Sequence, residues 1–464
     1  MSPRPFVQDQ ARLWPYLARW TPLAVFVGAV VGSACALFLW LLDLCTRTRF
    51  AYPALLFALP VGGIAVAWLY ERLGKDASRG NNLIVDEIHE PGAGGVPLRM
   101  APLVLIGTLL THLFGGSAGR EGTAVQMGGS LASGLARLLR IREPAEIRLL
   151  LMTGVAAGFG GVFGTPVAGA VFALEVLVIG RFSHAALFPC LVGGIVADQV
   201  CTAWGIAHTH YHIASVLPPD SPKHLAPLSA HWFGATLVAG AIFGLVSRLF
   251  SEVTHGCVHV FRQRIPQPLL RPVVGGLIVI ALTLLLGTRD YVGLGVSAPD
   301  ADAVTIQSAF HAGGARAWSW FWKVLFTAIT LGSGFKGGEV TPLFFIGATL
   351  GNTIAAWLGM PVDLVAALGF VAVFAGATNT PLACTVMGIE LFGGEYAVYF
   401  AVACTTAYLF SGHTGIYPSQ RLGAHKTGQE LESPFATLQE HRRAEPRQTT
   451  DEPPLASPSD RKAQ

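Results

Sequence analysis

Two long runs in this sequence are nearly free of charge. Thr21 to Cys45 holds a single charged residue, Asp43, and Leu149 to Gly180 holds only Glu175. Each run reaches or exceeds the ~20 apolar residues that a helix needs to cross a bilayer core. Similar runs recur to about Ser411. A water-soluble surface cannot be built from this material: apolar residues make up 52% of the chain and charged ones 13%, where soluble chains carry about a quarter charged residues. The chain therefore reads as an all-α polytopic membrane protein. The first run is too long for a cleaved signal peptide and has no small-residue cleavage site after it, so it is expected to be a permanent helix.

Charge placement orients the chain. Arg4, Arg12 and Arg19 precede the first run, and Arg421, Lys426, Arg442 and Arg443 follow the last. The positive-inside tendency then places both termini in the cytoplasm and makes the number of full spans even. A net charge of +3 with no basic, aromatic-interleaved stripe argues against a nucleic-acid partner. The seven cysteines form no CxxC or Cys/His pattern, so they are read as packing residues and no metal site is expected. From Leu422 the composition turns to Pro, Ser, Glu, Arg and Gln. Residues 1–20 are thus expected to be a cytoplasmic segment, 21–425 the transmembrane domain and 426–464 a disordered cytoplasmic tail.

A duplication shows inside the transmembrane part. Phe163-Gly164-Thr165-Pro166, with Glu175 nine residues beyond its proline, resembles Thr378-Asn379-Thr380-Pro381 with Glu390 nine beyond, at an offset of 215. Gly119-Arg120-Glu121-Gly122-Thr123 and Gly337-Gly338-Glu339-Val340-Thr341 align at an offset of 218. Two matches in order at nearly one offset predict two repeats, roughly 21–215 and 226–425, running in opposite senses with a site between them. The plain alternative is that small-residue membrane helices resemble one another by composition. Matched acids make that alternative the weaker one. The many glycines and prolines within apolar runs predict broken helices whose freed backbone lines a protein cavity.

The chemistry concentrates in the two glycine-rich loops. The first, Gly115 to Thr123, runs into a helix pattern, so its free N–H groups and the positive helix end make an anion site. Glu121 puts a carboxylate where the anion would bind. Ionised, it competes with the anion; protonated, it can swing away, which makes one residue both gate and proton carrier. The second loop, Gly332 to Pro342, offers the N–H groups of Glu339 and Val340, a second acid in Glu339 and a cation in Lys336. Two carboxylates at one site titrate as a coupled pair. An ordinary helix-terminal acid at Glu121, or a structural Lys336–Glu339 ion pair, are the bland readings. Asn81 and Asn82 offer side-chain donors to a hard anion, although most Gly-Asn-Asn stretches are turns. Tyr417, after the last apolar run, would ordinarily be an interfacial anchor.

At these residues the sequence resembles the CLC family of anion channels and anion/proton antiporters, from about residue 20 to 425. Gly119-Arg120-Glu121-Gly122-Thr123 is similar to the family's GREGP loop with its gating glutamate, and Tyr417 stands where a tyrosine closes the inner side of the anion site. The resemblance implies a CLC-type fold of two inverted-topology repeats with broken and tilted helices, a homodimer in the cell (inner) membrane, no CBS domains and no cofactor. Three departures matter. The family's GSGIP loop stands here as Gly80-Asn81-Asn82-Leu83-Ile84, GxFxP as Gly338-Glu339-Val340-Thr341-Pro342, and GREGP ends in Thr123. These replacements resemble the fluoride-exporting branch. Many chloride/proton exchangers also carry a relay glutamate directly after the Glu175 position, where this chain has Val176. By resemblance, then, the anion ligands are Asn81 or Asn82, Gly119, Arg120, Gly122, Val340, Thr341 and Tyr417, with Glu121 and Glu339 moving protons.

Fluoride suits these replacements because it is small and strongly hydrated, so its site must concentrate donors to offset dehydration. The expected function is fluoride export in exchange for protons. A chloride/proton exchanger or chloride channel of the same fold is the alternative within transport. An intramembrane enzyme using Glu121, Glu339 and His112 is disfavoured by the lack of HExxH, GxSxG or metal-ligand spacing. A receptor or scaffold would not need paired acids inside broken helices.

Overall fold

The computed structural model describes residues 4–92, 94–209, 211–214, 229–429 and 435–444. The predicted repeat boundary, between 215 and 226, lies outside the described residues. The first half contains α1 (Arg4–Ala51), α2 (Leu59–Leu73), α3 (Asn81–His89), α4 (Met100–Leu113), α5 (Glu121–Leu138), α6 (Pro144–Phe163), α7 (Pro166–Glu175) and α8 (Leu187–Ala203). The second contains α9 (Ala230–Arg264), α10 (Leu270–Leu286), α11 (Ser319–Gly332), α12 (Val340–Leu358), α13 (Val362–Thr378), α14 (Pro381–Phe392) and α15 (Ala397–Phe410), and α16 (Leu438–Ala444) follows. Among the described residues, six helical stretches are long and apolar enough to cross a membrane, while apolar helices such as α4, α7, α10, α13 and α14 are shorter. The broken helices expected from glycine and proline are therefore present.

The two halves pack alike. α5 lies on α6 and α1 on α8, as α12 lies on α13 and α9 on α15. Glycine sets the closeness of the first and third of these crossings. A Cβ at Gly128 would stand 2.0 Å from Gly154 O, and one at Gly347 would stand 2.0 Å from Gly369 O, so each pair meets backbone to backbone. Hydrophobic attraction between helices is absent in lipid, and such close approach supplies dispersion contacts instead.

The acids that marked the duplication are reciprocal caps. α7 and α14 each open with proline in the first turn, which fits a position whose N–H has no helical partner. Glu390 accepts from Val167 N (3.0 Å) and Ala168 N (2.7 Å), while Glu175 accepts from Leu382 N (3.1 Å) and Ala383 N (2.8 Å). Each acid stands near the end of its own helix and caps the start of the other. α7 and α14 must therefore run antiparallel, which is the inversion read from the sequence.

Part of the segment expected to be a disordered tail is folded. Within it, Leu438 of α16 packs with Ile179 of β1 (Val178–Ile179) and with Leu422 of β2 (Arg421–Leu422), a strand parallel to β1 that lies just before the expected tail. The sequence reading missed this because the anchoring apolar residues are few and widely spaced. Residues 445–464 lie outside the described residues. Around this segment His413 meets His425 and His441 at ring-centroid distances of 4.1 and 5.3 Å. Burial, then His425, Lys426 and His441, push the His413 pKa down from near 6.5 to about 4. A histidine held neutral by folding stabilises the fold above its unfolded pKa, and that contribution is lost as pH falls. Hydrogen exchange at residues 435–444 is accordingly expected to accelerate as pH drops from about 6.5 toward 4, after correction for intrinsic exchange.

Candidate functional site

Three helices, α3, α5 and α12, begin close to one point, each after a glycine-containing turn. The two glycine-rich loops lie antiparallel there: Gly119 N donates to Gly338 O at 2.6 Å, and Gly338 N donates to Gly119 O at 2.8 Å. The contact requires glycine, since a Cβ at Gly338 would lie 2.7 Å from Gly122 N. This backbone clasp brings the first turns of α5 and α12 together, so the positive ends of two helices face one space.

Glu121 occupies that space. It is 1% exposed, and its carboxylate reaches across to α12. Oε2 accepts from Thr341 N at 3.0 Å, and Thr341 Oγ1 lies 2.6 Å from Oε1 and 2.7 Å from Oε2. Arg120 adds its backbone N, 3.1 Å from Oε2, and its Nε, 3.5 Å from Oε1. Every one of these donors would equally serve a small anion. Charge-assisted bonds of this kind hold an ionised carboxylate well. Once protonated, the group loses that attraction.

Glu339, Asn81 and Gly122 share the adjoining space. A Cβ built at Gly122 would lie 3.2 Å from Asn81 Nδ2 and 3.6 Å from Glu339 Oε2. Glu339 Oε2 and Asn81 Oδ1 are both buried without a hydrogen-bond partner among the described residues. A buried polar atom left unpaired is costly, and two such atoms border one space here. Asn82 behaves differently: its Oδ1 accepts from Ser419 N at 3.2 Å, tying α3 to the loop that carries Tyr417. Tyr417 is 4% exposed and Val340, opening α12, 2%. Lys336 forms no ion pair with Glu339 among the described residues; its Nζ sits 4.2 Å above the Tyr70 ring.

Two separate cavities border this centre. A cavity of about 160 Å³ is lined by Asn81, Asn82, Lys336, Glu339 and Tyr417, together with Arg79 and Gln126. A smaller one of about 20 Å³ is lined by Arg120, Glu121 and Thr341, with Phe163, Tyr211, Phe344 and Phe370. Glu121 thus lines one cavity and Glu339 the other. Val176 and Tyr417 border a further apolar cavity of about 20 Å³. Thr123 turns away from the centre, its Oγ1 2.7 Å from Thr108 Oγ1 between α5 and α4.

Sequence reading passed over Arg79, Gln126 and the aromatic wall. A polar side chain in the small-residue first half of α5 was an available signal for Gln126. The aromatic residues gave none, because Phe163, Tyr211, Phe344 and Phe370 come from four separate stretches of chain.

An all-α membrane protein with inverted halves and a carboxylate seated on helix-terminal amides is built as an anion-transport protein. The chain matches the family model described as voltage gated chloride channel over residues 62–412, and it belongs to that family, the CLC family. It is 50% identical over 424 residues to a chloride/fluoride channel protein of Pseudomonas syringae pv. tomato, covering 90% of each chain. The crystal structure of a CLC-type fluoride/proton antiporter superimposes with a TM-score of 0.81 at 36% identity, covering 88% of this chain and 98% of that one. A slow cyanobacterial Cl⁻/H⁺ antiporter shares the fold at a TM-score of 0.71 and 20% identity, covering 85% and 94%.

Proposed function

We propose that this protein is a fluoride/proton antiporter that exports fluoride from the cytoplasm, working as a homodimer in the cell (inner) membrane with both termini cytoplasmic. The observation that carries the reading is the Glu121 carboxylate on Thr341 N, Thr341 Oγ1 and Arg120 N. Fluoride competes with that carboxylate for the same donors. Proton uptake by Glu121 weakens its hold, the anion moves in, and deprotonation returns the carboxylate. Glu339, on a separate cavity with an unpaired oxygen, exchanges the proton with the other side of the membrane. Asn81 and Tyr417 receive the anion there, and Gly119, Gly122 and Val340 contribute the close backbone around it. Val176 leaves no acid at the position that many chloride exchangers use, so Glu339 takes that part.

Selectivity follows from donor density: a small, strongly hydrated ion needs several short hydrogen bonds to repay its lost water. In liposomes with an anion electrode and simultaneous pH recording, fluoride efflux is expected to exceed chloride efflux by about tenfold or more, with protons moving the opposite way. Equal or greater chloride efflux would replace fluoride by chloride as the cargo. Fluoride flux without proton movement would make the protein a channel.

A further inference from the structure

Away from the anion centre, on the side of the molecule where α1 and α10 end, lies a cavity of about 670 Å³. It is lined by Arg49 and Arg289 and also by Asp290 and Asp300. Neither an anion nor a cation alone suits such a wall. Arg49 Nε and Asp290 Oδ2 are both buried with no hydrogen-bond partner among the described residues. A cation and an acid are thus left unpaired on one cavity, although an ion pair between them would have answered both needs. The guanidinium is held in place by what surrounds it: a Cβ at Gly293 would stand 2.6 Å from Arg49 Nη1 and Nη2, and one at Gly115 would stand 3.6 Å from its Cδ. Lys323 Nζ donates to Gly293 O (2.8 Å) and Tyr291 O (3.2 Å), so the turn beside Arg49 already carries a second cation.

The rim is apolar. Phe57 and Leu284 line the cavity, and they are 53% and 62% exposed, with Tyr52 (66%) and Leu285 (78%) beside them. In a chain that spans a membrane, such side chains at the ends of α1 and α10 face lipid at the level of the head groups. The volume falls in the ~300–1,000 Å³ range of small-molecule sites.

We propose that this cavity binds the head group of a zwitterionic phospholipid with a primary ammonium, of the phosphoethanolamine type. Its phosphate oxygens accept from Arg49 and Arg289, its ammonium donates to Asp290 and Asp300, and its acyl chains lie along Phe57 and Leu284. A guanidinium fork matches a phosphate, and the two acids supply the selectivity that a purely basic pocket lacks. Gly115 ties the site to transport, because it lines the cavity and begins the loop that ends at Glu121.

Native mass spectrometry of the detergent-solubilised full chain, titrated with matched-chain phosphoethanolamine, phosphocholine and phosphoglycerol lipids, tests the assignment. The phosphoethanolamine lipid is expected to be retained preferentially. Arg49→Gln and Asp290→Asn, each checked for a wild-type elution profile, are expected to reduce that retention about tenfold or more, the scale of one charge-assisted hydrogen bond. Asp290→Asn also weakens the discrimination against the phosphoglycerol lipid. Soluble phosphoethanolamine is expected to compete poorly, and competition at equal concentration would overturn the lipid as source. Equal retention of all three lipids, or retention unchanged in Asp290→Asn, would overturn the zwitterionic site. None of these readouts depends on which anion is transported.

Discussion

Glu121→Gln is expected to uncouple anion movement from proton movement. The amide keeps a carbonyl oxygen to accept from Thr341 N and Oγ1, now 3.0 and 2.6 Å from the carboxylate, but it cannot take up or release a proton. With an uphill fluoride gradient imposed across liposomes, wild-type protein should drive a pH change. In the variant that signal should fall by about a hundredfold, the lower end of what a positioned proton-transfer group contributes. Passive fluoride flux should persist, because the anion now competes with a neutral group, and its persistence reports a folded protein. Intact proton movement in the variant would remove Glu121 from the coupling step.

The second large effect is on stability. Gly347→Ala puts a methyl group 2.0 Å from the Gly369 carbonyl oxygen, and neither helix has room to yield, because α12 and α13 are buried along most of their length. Overpacking of this kind costs about 3 kcal/mol, enough to lower the thermal midpoint in detergent by several degrees or to prevent recovery of monodisperse protein. Gly256→Ala in α9, where an added Cβ meets nothing within 4 Å, should leave the midpoint unchanged or slightly raised. A Gly347→Ala protein as stable as that control would mean that the crossing is looser than the backbone contact indicates.

The acid of the first prediction stood out in the sequence before any geometry was known, whereas Gly347 was located by the α12–α13 crossing, so sequence carried different amounts of information at different places. The two loops and their acids could be read directly, since a small-residue turn leading into an apolar helix has few physical uses besides exposing N–H groups. The matched Glu175 and Glu390 were read correctly as marks of duplication. Their role as reciprocal caps needed the antiparallel contact of α7 with α14, because a buried acid near a helix end looks the same in sequence whether it relays protons or accepts from a neighbouring helix. Asn81 and Asn82 were likewise indistinguishable until α3 was in place, when both lined the cavity but Asn82 Oδ1 accepted from Ser419 N while Asn81 Oδ1 stayed without a partner among the described residues.

What the sequence determined by itself was the solvent and the chemistry. Charge-poor runs commit the chain to a bilayer, and glycine-rich loops bearing acids commit it to handling a small anion, because both follow from local composition and spacing. Tertiary structure decided which atoms share a point: that the Glu121 carboxylate sits on α12 and not on its own helix, that Glu339 lines a different cavity from Glu121, that Lys336 lies over Tyr70, and that part of the polar C-terminal segment folds back. Those outcomes depend on contacts between residues some 200 positions apart, such as the 220 separating Glu121 from Thr341. Chain-local periodicity has no means of recording them.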